Sequence, residues 1–434
     1  MTDTMPTTDR LWLKVLIGLA LGVAVGFLMG PDLNLLPRDV AESIGGWLAL
    51  PGNMFLTLIR FVVIPLVISS IALGICAGED TESVKKLGLG VILFFVVTTA
   101  IAVLIGVATT TILNPGSFMD PAIVQEKLGS GAMNASGLGL GEGTLPQTIV
   151  SIFPTNPFTS MAQGALLQIV IAAGIFGIAL LAIPKNESKA LIDLLASVQS
   201  ACMAIVGWLM KFAPVAIFGL LADVMIKVGM GAFIGVSAYV GTFIVALIGV
   251  FIMYCIILFA MTGRSPLTFI SQVRNPMVIA FSTSSSSATM PVTLRAIETQ
   301  AGIHPTVGRL VIPLGATANM GGTAVYQSVV VLFLAQVFGI QLTPADIAVL
   351  LALAVGSSVG APGVPGGSLG MLITILISVG IPAEGIALVF AVDRILDMMR
   401  TSVNVFGDMV AAAVMDKRLN LPHHEGEVLD TFET

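Results

Sequence analysis

Between Leu87 and Met119 the chain carries no Asp, Glu, Lys or Arg. A helix needs about 20 apolar residues to cross the hydrocarbon of a bilayer, so an uncharged run of this length reads as a membrane-spanning segment. It has many companions. Apolar segments fall at about 11–29, 47–77, 88–113, 148–184, 191–226, 231–262, 305–339 and 384–415. Several are longer than a perpendicular crossing requires, which predicts tilted or broken helices. Only 10% of the 434 residues are charged and 56% are hydrophobic, whereas a soluble domain carries about 25% charged residues. Such a chain cannot cover a water-facing surface, and lipid must replace water over much of its exterior. The expected class is an all-α membrane protein. Leu11 to Met29, preceded by Arg10 and containing Lys14, resembles a signal peptide. No small-residue cleavage site with a polar mature domain follows it, so it is read as a retained first helix.

Two further apolar stretches, about 265–300 and 343–382, are heavily interrupted. The first holds a serine cluster from Ser282 to Ser287, and the second runs Gly360-Ala361-Pro362-Gly363-Val364-Pro365-Gly366-Gly367-Ser368. Freed peptide groups in hydrocarbon cost several kcal/mol each, so broken backbone survives at membrane depth only inside protein or beside a wet cavity. Each stretch is therefore read as a re-entrant hairpin with its tip at the cluster. A matched pair of broken segments points to the binding site of a transporter. With the N-terminus inside, the inner loops contain Lys85, Lys86, Lys185, Lys189, Arg264, Arg274, Lys417 and Arg418. The largest outer loop, about 114–147, holds Asp120, Glu126 and Glu142 against Lys127, as the positive-inside rule requires. That count works only if each hairpin enters and leaves on one side, the first from the cytoplasm and the second from outside. Their tips then meet near mid-membrane, the geometry of an inverted repeat.

The last apolar helix carries the chemistry. Asp393, Asp397, Arg400, Asn404 and Asp408 are spaced 4, 3, 4 and 4, which sets them on one helical face. Ionisable residues inside a membrane are costly and mark functional sites. A structural ion-pair ladder, Asp397 or Asp393 with Arg400, is the alternative, but Asn404 and Asp408 have no cation on that stripe, and an unpaired Asp invites a bound cation. The run Gly315 to Thr323 reads as a locally unwound helix whose freed carbonyls suit sodium, with Asn319 adding an oxygen; the competing reading is close helix packing by small residues. The serines could be nucleophiles only with a base nearby. His304 starts a helix on the cytoplasmic side, and His423 and His424 lie in a polar tail, so no enzyme is expected. Cys76, Cys202 and Cys255 show no metal or disulfide spacing. No Walker-type phosphate loop and no nucleic-acid-binding pattern is present.

With these motifs in view, the chain resembles the dicarboxylate/amino acid:cation symporter family, which includes the glutamate transporters. The likeness covers most of the chain and is strongest from Ala280 to Lys417. It rests on the serine-rich hairpin with Met290-Pro291-Val292-Thr293, the Asn-Met-x-Gly-Thr break at Asn319 to Thr323, and the last-helix stripe, in that order. The resemblance implies eight transmembrane helices plus two re-entrant hairpins with inverted repeats, an elevator mechanism, a homotrimer, and a cytoplasmic (inner) membrane location with both termini cytoplasmic. By it, residues 10–77 and 148–227 form a scaffold of the first, second, fourth and fifth helices. The third helix (80–113) and residues 230–418 form a mobile transport domain. The latter comprises the sixth helix, the first hairpin (265–301), the seventh helix (305–339), the second hairpin (343–382) and the eighth helix (384–418). A polar tail (419–434) follows.

The family pattern also implies roles. Arg400 would pair with the substrate's side-chain carboxylate and Asp397 with its amino group, while Thr401 and Asn404 contact the amino and α-carboxylate ends. Ser285, Ser286 and Ser287 surround the first tip, Val364, Pro365 and Gly366 close the second, and Met320 and Thr323 complete the substrate set. One sodium would sit on Gly315, Asn319, Asn404 and Asp408, and a second near Thr317, Ser358, Val359 and Ala361. Asp397 beside Arg400 selects aspartate or glutamate over succinate, malate or a neutral amino acid. Where the motif usually has Asp, this chain has Gly321, and Phe95 stands where Tyr is common, near Thr98 and Thr99. A third cation site is therefore expected to be degraded. Gln327 replaces the glutamate of potassium-countertransporting members. A further arginine near the site is missing, with Ser284 and Met398 at its two usual positions, and Arg394 is expected to point off the stripe. The implied activity is sodium-coupled symport of an acidic amino acid, with a proton as the alternative ion. Carriage of C4-dicarboxylates or cystine, or an anion channel, are the competing readings.

Overall fold

The computed structural model describes residues 11–33, 35–76, 82–119, 121, 153–163, 166–358, 367–382 and 385–419. Among them every regular element is helical. In chain order the α-helices, with a short 3-10 turn at Pro115–Phe118 after the third, are α1 (Leu11–Met29), α2 (Arg38–Cys76), α3 (Glu82–Leu113), α4 (Pro157–Gln163), α5 (Leu166–Ala182), α6 (Lys185–Val228) and α7 (Met230–Thr262). Then come α8 (Pro266–Thr283), α9 (Ser286–Thr299), α10 (Pro305–Ala318), α11 (Gly321–Val337), α12 (Pro344–Ser358), α13 (Gly367–Ser378) and α14 (Ile386–Leu419). The apolar pattern located these helices but not their ends. α2 begins at Arg38, ahead of the apolar run at 47, because an i,i+4 pair, Arg38 Nε to Glu42 Oε1 at 3.1 Å, supports a polar first turn.

Among the described residues, four stretches are long and apolar enough to cross a bilayer by length and composition: Gly90–Phe118, Lys185–Leu209, Phe233–Thr262 and Pro305–Val337. They differ in what surrounds them. Ile248, Ile252, Ile256 and Phe259 lie along one face of α7 and are each at least half exposed, a face that suits lipid. On α11, every residue from Gly321 to Ala335 is buried, as expected of a helix wrapped by other helices.

Two packing groups surround that buried spine. α1 and α2 lie against α6, and α2 also packs on α5. The α1–α6 contact is close because its residues are small. A β-carbon at Gly18 would come within 2.5 Å of the Pro214 carbonyl oxygen, and one at Gly22 within 2.8 Å of the Phe218 carbonyl oxygen. In the second group, α3 and α7 pack on α11, and α14 packs on α7, α8, α10 and α11.

The first interrupted stretch folds as a hairpin. Arms α8 and α9 pack together, and Arg264 Nη1 donates to the Ala301 carbonyl across its mouth at 2.6 Å. The turn falls on Ser284, which has φ 53° and ψ 35°, the left-handed region. Ser285 then caps α9, its Oγ accepting from the Ala288 N–H at 3.1 Å. The arms α12 and α13 of the second stretch also pack together; the tip between them lies outside the described residues. The seventh apolar segment is interrupted as its small residues predict. α10 stops at Ala318, Asn319 and Met320 leave helical geometry (ψ 91° and 39°), and α11 starts at Gly321.

Candidate functional site

All five stripe residues of α14, Asp393, Asp397, Arg400, Asn404 and Asp408, are more than nine-tenths buried. Burial of so many polar groups is tolerated because they satisfy one another, in two clusters.

The first cluster surrounds Arg400. Its Nη1 donates to Asp393 Oδ1 at 2.8 Å, and its Nη2 lies 2.9 Å from Asp397 Oδ1 and donates to Ser368 Oγ at 2.8 Å. The guanidinium also lies 4.1 Å from the centroid of the Tyr326 ring, a cation–π contact strengthened by desolvation. The ion-pair ladder is therefore present, with both aspartates on one arginine. Sequence reasoning left Ser368 and Tyr326 out of the site. A signal existed for Tyr326, which lies three residues after Thr323 on the same helix and so shares its face. For Ser368 there was none, because its reach to Arg400 depends on how α13 docks. Thr401 turns its hydroxyl back onto the Asp397 carbonyl at 2.7 Å.

One expectation is overturned. Arg394 does not point away: its side chain is 11% exposed and its Nη1 stands 3.6 Å from Asp397 Oδ2. A residue three positions before Asp397 on a helix lies within reach of it, and a long arginine side chain spans the remaining offset.

The second cluster joins α14 to the α10–α11 break. Asn319 Nδ2 donates to Asp408 Oδ1 at 2.8 Å and to the Asn404 carbonyl at 3.3 Å. Asn404 Oδ1 accepts from the Gly322 N–H at 2.7 Å, and its Nδ2 faces Thr323 Oγ1 and Met320 Sδ, each at 3.4 Å. Asp408 lies directly against Gly315, where a β-carbon would collide with the carboxylate. Gly315, Asn319, Asn404 and Asp408 are thus brought together, and among the described residues no cationic side chain pairs with Asp408.

Tyr254 of α7 fills the space beside this cluster. Its hydroxyl donates to Asn319 Oδ1 at 3.0 Å, and a β-carbon on Gly321 would come within 2.6 Å of that hydroxyl. The position where an aspartate side chain would extend is thus taken by a phenol from another helix. Phe95 is buried, Thr98 Oγ1 is bonded within its own helix to the carbonyls of Phe94 and Phe95 at 2.9 and 3.2 Å, and Thr99 Oγ1 is buried without a hydrogen-bond partner among the described residues.

At the first hairpin tip Ser284, Ser285 and Ser286 are buried and Ser287 is half-buried, and Ser284 Oγ has no hydrogen-bond partner among the described residues. Ser402 Oγ donates to the Met277 carbonyl at 3.0 Å, tying α14 to α8. His304 sits at the other end of this hairpin, where it caps α10 and its backbone N–H donates to Asp416 Oδ1 at 3.0 Å, so it is no base for the serines. Gln327 is buried with neither side-chain polar atom bonded among the described residues. Thr317, the penultimate residue of α10, donates its hydroxyl to the Leu314 carbonyl at 3.1 Å, and Ser358 is the last residue of α12. Val359, Ala361, Val364, Pro365 and Gly366 lie outside the described residues.

Chemically, the two clusters offer paired charges for a zwitterion and a carboxylate among amide and carbonyl oxygens for a cation. The comparisons with known proteins agree with this chemistry. The family model described as the sodium:dicarboxylate symporter family matches residues 11–418. The chain is 33% identical over 404 residues to the proton/sodium-glutamate symport protein of Bacillus subtilis (strain 168), covering 93% of this chain and 91% of that protein. It is 29% identical over 423 residues to the proton/glutamate-aspartate symporter of Escherichia coli (strain K12), covering 95% of each. It is also 31% identical over 468 residues to the neutral amino acid transporter B(0) of Rattus norvegicus, covering 96% of this chain and 83% of that protein.

Proposed function

The chain belongs to the sodium:dicarboxylate symporter family, and from that premise we propose that it is a secondary active symporter of aspartate or glutamate. The family is one of membrane-embedded symporters and not of enzymes.

The observation that carries the substrate is the contact of Arg400 with Asp397 at 2.9 Å on a buried face. An amino acid with a second carboxylate can replace that contact with two of its own. Its ammonium takes Asp397 and its carboxylate takes Arg400, so neither buried charge is stranded, which would otherwise cost several kcal/mol. A guanidinium suits this role because it is permanently charged and binds carboxylate bidentately. The neutral amino acid reading, which one relative's name invites, is disfavoured by Arg400, since a neutral side chain leaves it without an exchange partner.

The coupling ion is sodium or a proton. Asp408, with Asn319, Asn404 and the backbone at Gly315, supplies oxygen ligands beside an interrupted helix, where transporters bind sodium. Support for the second site reaches only Thr317 and the end of α12. The third, at Thr98 and Thr99, lacks a carboxylate at Gly321, and Tyr254 occupies the space, which favours fewer cations per cycle. Gln327 cannot ionise, which favours a cycle without potassium countertransport. If the proton is the ion, Asp408 or Asp397 carries it.

The eight-span, two-hairpin, inverted-repeat architecture belongs to the same reading, as do the homotrimer, the inner-membrane location and the cytoplasmic termini. The mutual packing of α1, α2, α5 and α6, and separately of α3, α7 to α11 and α14, supports a scaffold and a transport domain moving as an elevator.

The test is uptake of labelled L-aspartate into proteoliposomes under imposed sodium, proton or no gradient. Uptake driven by either cation and abolished in Arg400→Ala is expected. Succinate or cystine displacing the label with equal potency would move the assignment to those substrates. Flux that never accumulates against a gradient would favour a channel, and no aspartate uptake under any gradient overturns the proposal.

A further inference from the structure

We propose that Gly229 is the pivot on which the transport group turns against the scaffold, and that Asp32 is a latch holding this pivot in the conformation seen here. The inference rests on the elevator reading above.

A single residue joins the two packing groups at this point. α6 of the scaffold group ends at Val228, and α7 of the transport group starts at Met230. Rotation of one helix against the other is therefore taken up at Gly229, as hinges are a few element-terminal residues that absorb a large change in backbone angles. Gly229 stands at φ 79° and ψ −161°, a region that is essentially glycine's alone and costly for a residue with a β-carbon. The end of α6 is held firm. The Gly229 N–H closes it on the Met225 carbonyl at 2.9 Å, and Lys227 Nζ pairs with Asp223 Oδ2 at 2.7 Å across its last turns. A stiff end concentrates bending at the joint beyond it.

Asp32 reaches that joint from the scaffold side. Its Oδ2 accepts the Met230 N–H at 2.8 Å. This is the first N–H of α7, one of the donors a helix cannot satisfy by itself, and the glycine before it has no side chain to offer. A carboxylate here also meets the positive end of the helix dipole. Asp32 itself is anchored on α6. The end of α1 lies against the last turns of α6, where glycines let the backbones approach. A β-carbon on Gly26 would collide with the Met225 side chain, and one on Gly30 would come within 2.9 Å of the Met225 carbonyl oxygen. Pro31 and Asp32 then lie over the joint, with Pro31 Cγ and Asp32 Oδ2 each 3.1 Å from where a β-carbon on residue 229 would stand. A segment packed on the scaffold thus bonds the first residue of the moving group. When α7 tilts away from α6, the Met230 N–H leaves Asp32, so the bond favours the present arrangement over the other.

The balance between arrangements is read in the full-length transporter in proteoliposomes. Spin labels on Lys189→Cys in α6 and Ser271→Cys in α8, in a Cys76→Ser, Cys202→Ser, Cys255→Ser background, report the distance between the groups with and without L-aspartate and sodium. The background protein is expected to show two distances, one of them that of this structure. Asp32 is exposed, so its loss is that of one surface helix cap: in Asp32→Ala the ratio of this arrangement to the other should fall about fivefold. Asp32→Asn should lower the ratio less, because its oxygen still accepts the N–H without the charge. Gly229→Ala should shift it the same way, since the present backbone angles penalise a β-carbon. An Asp32→Ala protein that melts earlier with an unchanged ratio would show that Asp32 only caps α7, and would overturn the latch. So would a ratio moved towards the arrangement seen here. A background ratio in Gly229→Ala would overturn the pivot. If Asp32→Ala does not fold, Asp32→Asn decides: a background ratio overturns the inference, and a lowered one supports it. Two distances in the background with a ratio that Asp32→Ala leaves alone sink this inference only. One distance in every protein and condition sinks the elevator reading and this inference with it.

Discussion

Gly321 and Tyr254 divide one small volume between them. The glycine leaves room that the phenol fills, and the phenol holds Asn319 by its oxygen so that the amide nitrogen faces Asp408. Restoring a carboxylate at 321 alone would drive it into the hydroxyl 2.6 Å from its β-carbon. The expected route to a third cation is therefore the triple change Gly321→Asp, Phe95→Tyr and Tyr254→Phe, which adds the carboxylate and a hydroxyl and removes the obstruction. Sodium-to-aspartate stoichiometry, read from reversal potentials in proteoliposomes, should rise by one ion in the triple variant and not in Gly321→Asp alone. An unchanged ratio in the triple variant would show that these residues do not govern coupling.

At the scale of elements, the first hairpin depends on one backbone conformation. Ser284 sits at φ 53°, which a residue with a β-carbon adopts at a cost of about 1–2 kcal/mol. Serine tolerates it better than a β-branched residue, whose side chain crowds the turn further. Ser284→Val should lower stability by about 1–2 kcal/mol, and Ser284→Gly should leave it nearly unchanged. Thermal unfolding in detergent reads both. A Ser284→Val protein as stable as wild type would mean the tip relaxes without strain. The α10–α11 break is steadier, because Asn319 and Asn404 bond across it from two helices.

At the scale of the whole molecule, part of the contact between the two packing groups is apolar, with Ser237 the one polar residue lining it. Leu19, Val23 and Leu221 on one side meet Phe233, Val236, Val240 and Val392 on the other around a cavity of about 200 Å³. In the proposed elevator cycle such a surface can slide, since dispersion contacts have little directionality. Val240→Trp should fill the cavity and slow turnover several-fold, with a smaller effect on the KM for aspartate, because it obstructs sliding without removing any polar group of the α14 stripe. A changed KM with normal turnover would contradict a sliding role for this face.

What the sequence determined by itself was whatever follows from one helix or one loop. Uncharged runs gave the helices, Gly and Pro clusters gave the breaks, and spacing of 4, 3, 4 and 4 put five polar residues of α14 on one face. Boundaries escaped it where an ion pair supports a helix beyond its apolar stretch, as Arg38–Glu42 does at the start of α2. The tertiary structure decided every contact that joins residues far apart in sequence. Ser368 reaches Arg400 because α13 docks on α2, α11 and α12, Tyr254 fills the space beside Gly321 because α7 packs on α11, and Asp408 abuts Gly315 because α10 packs on α14. Arg394 is the instructive case. A helical wheel places its Cα off the stripe, but a wheel carries no side-chain length and no neighbours, and the buried guanidinium turns to the nearest carboxylate. Periodicity fixes direction around one helix axis; which cation ends beside which anion is set by packing between helices and by the cost of leaving a buried charge alone.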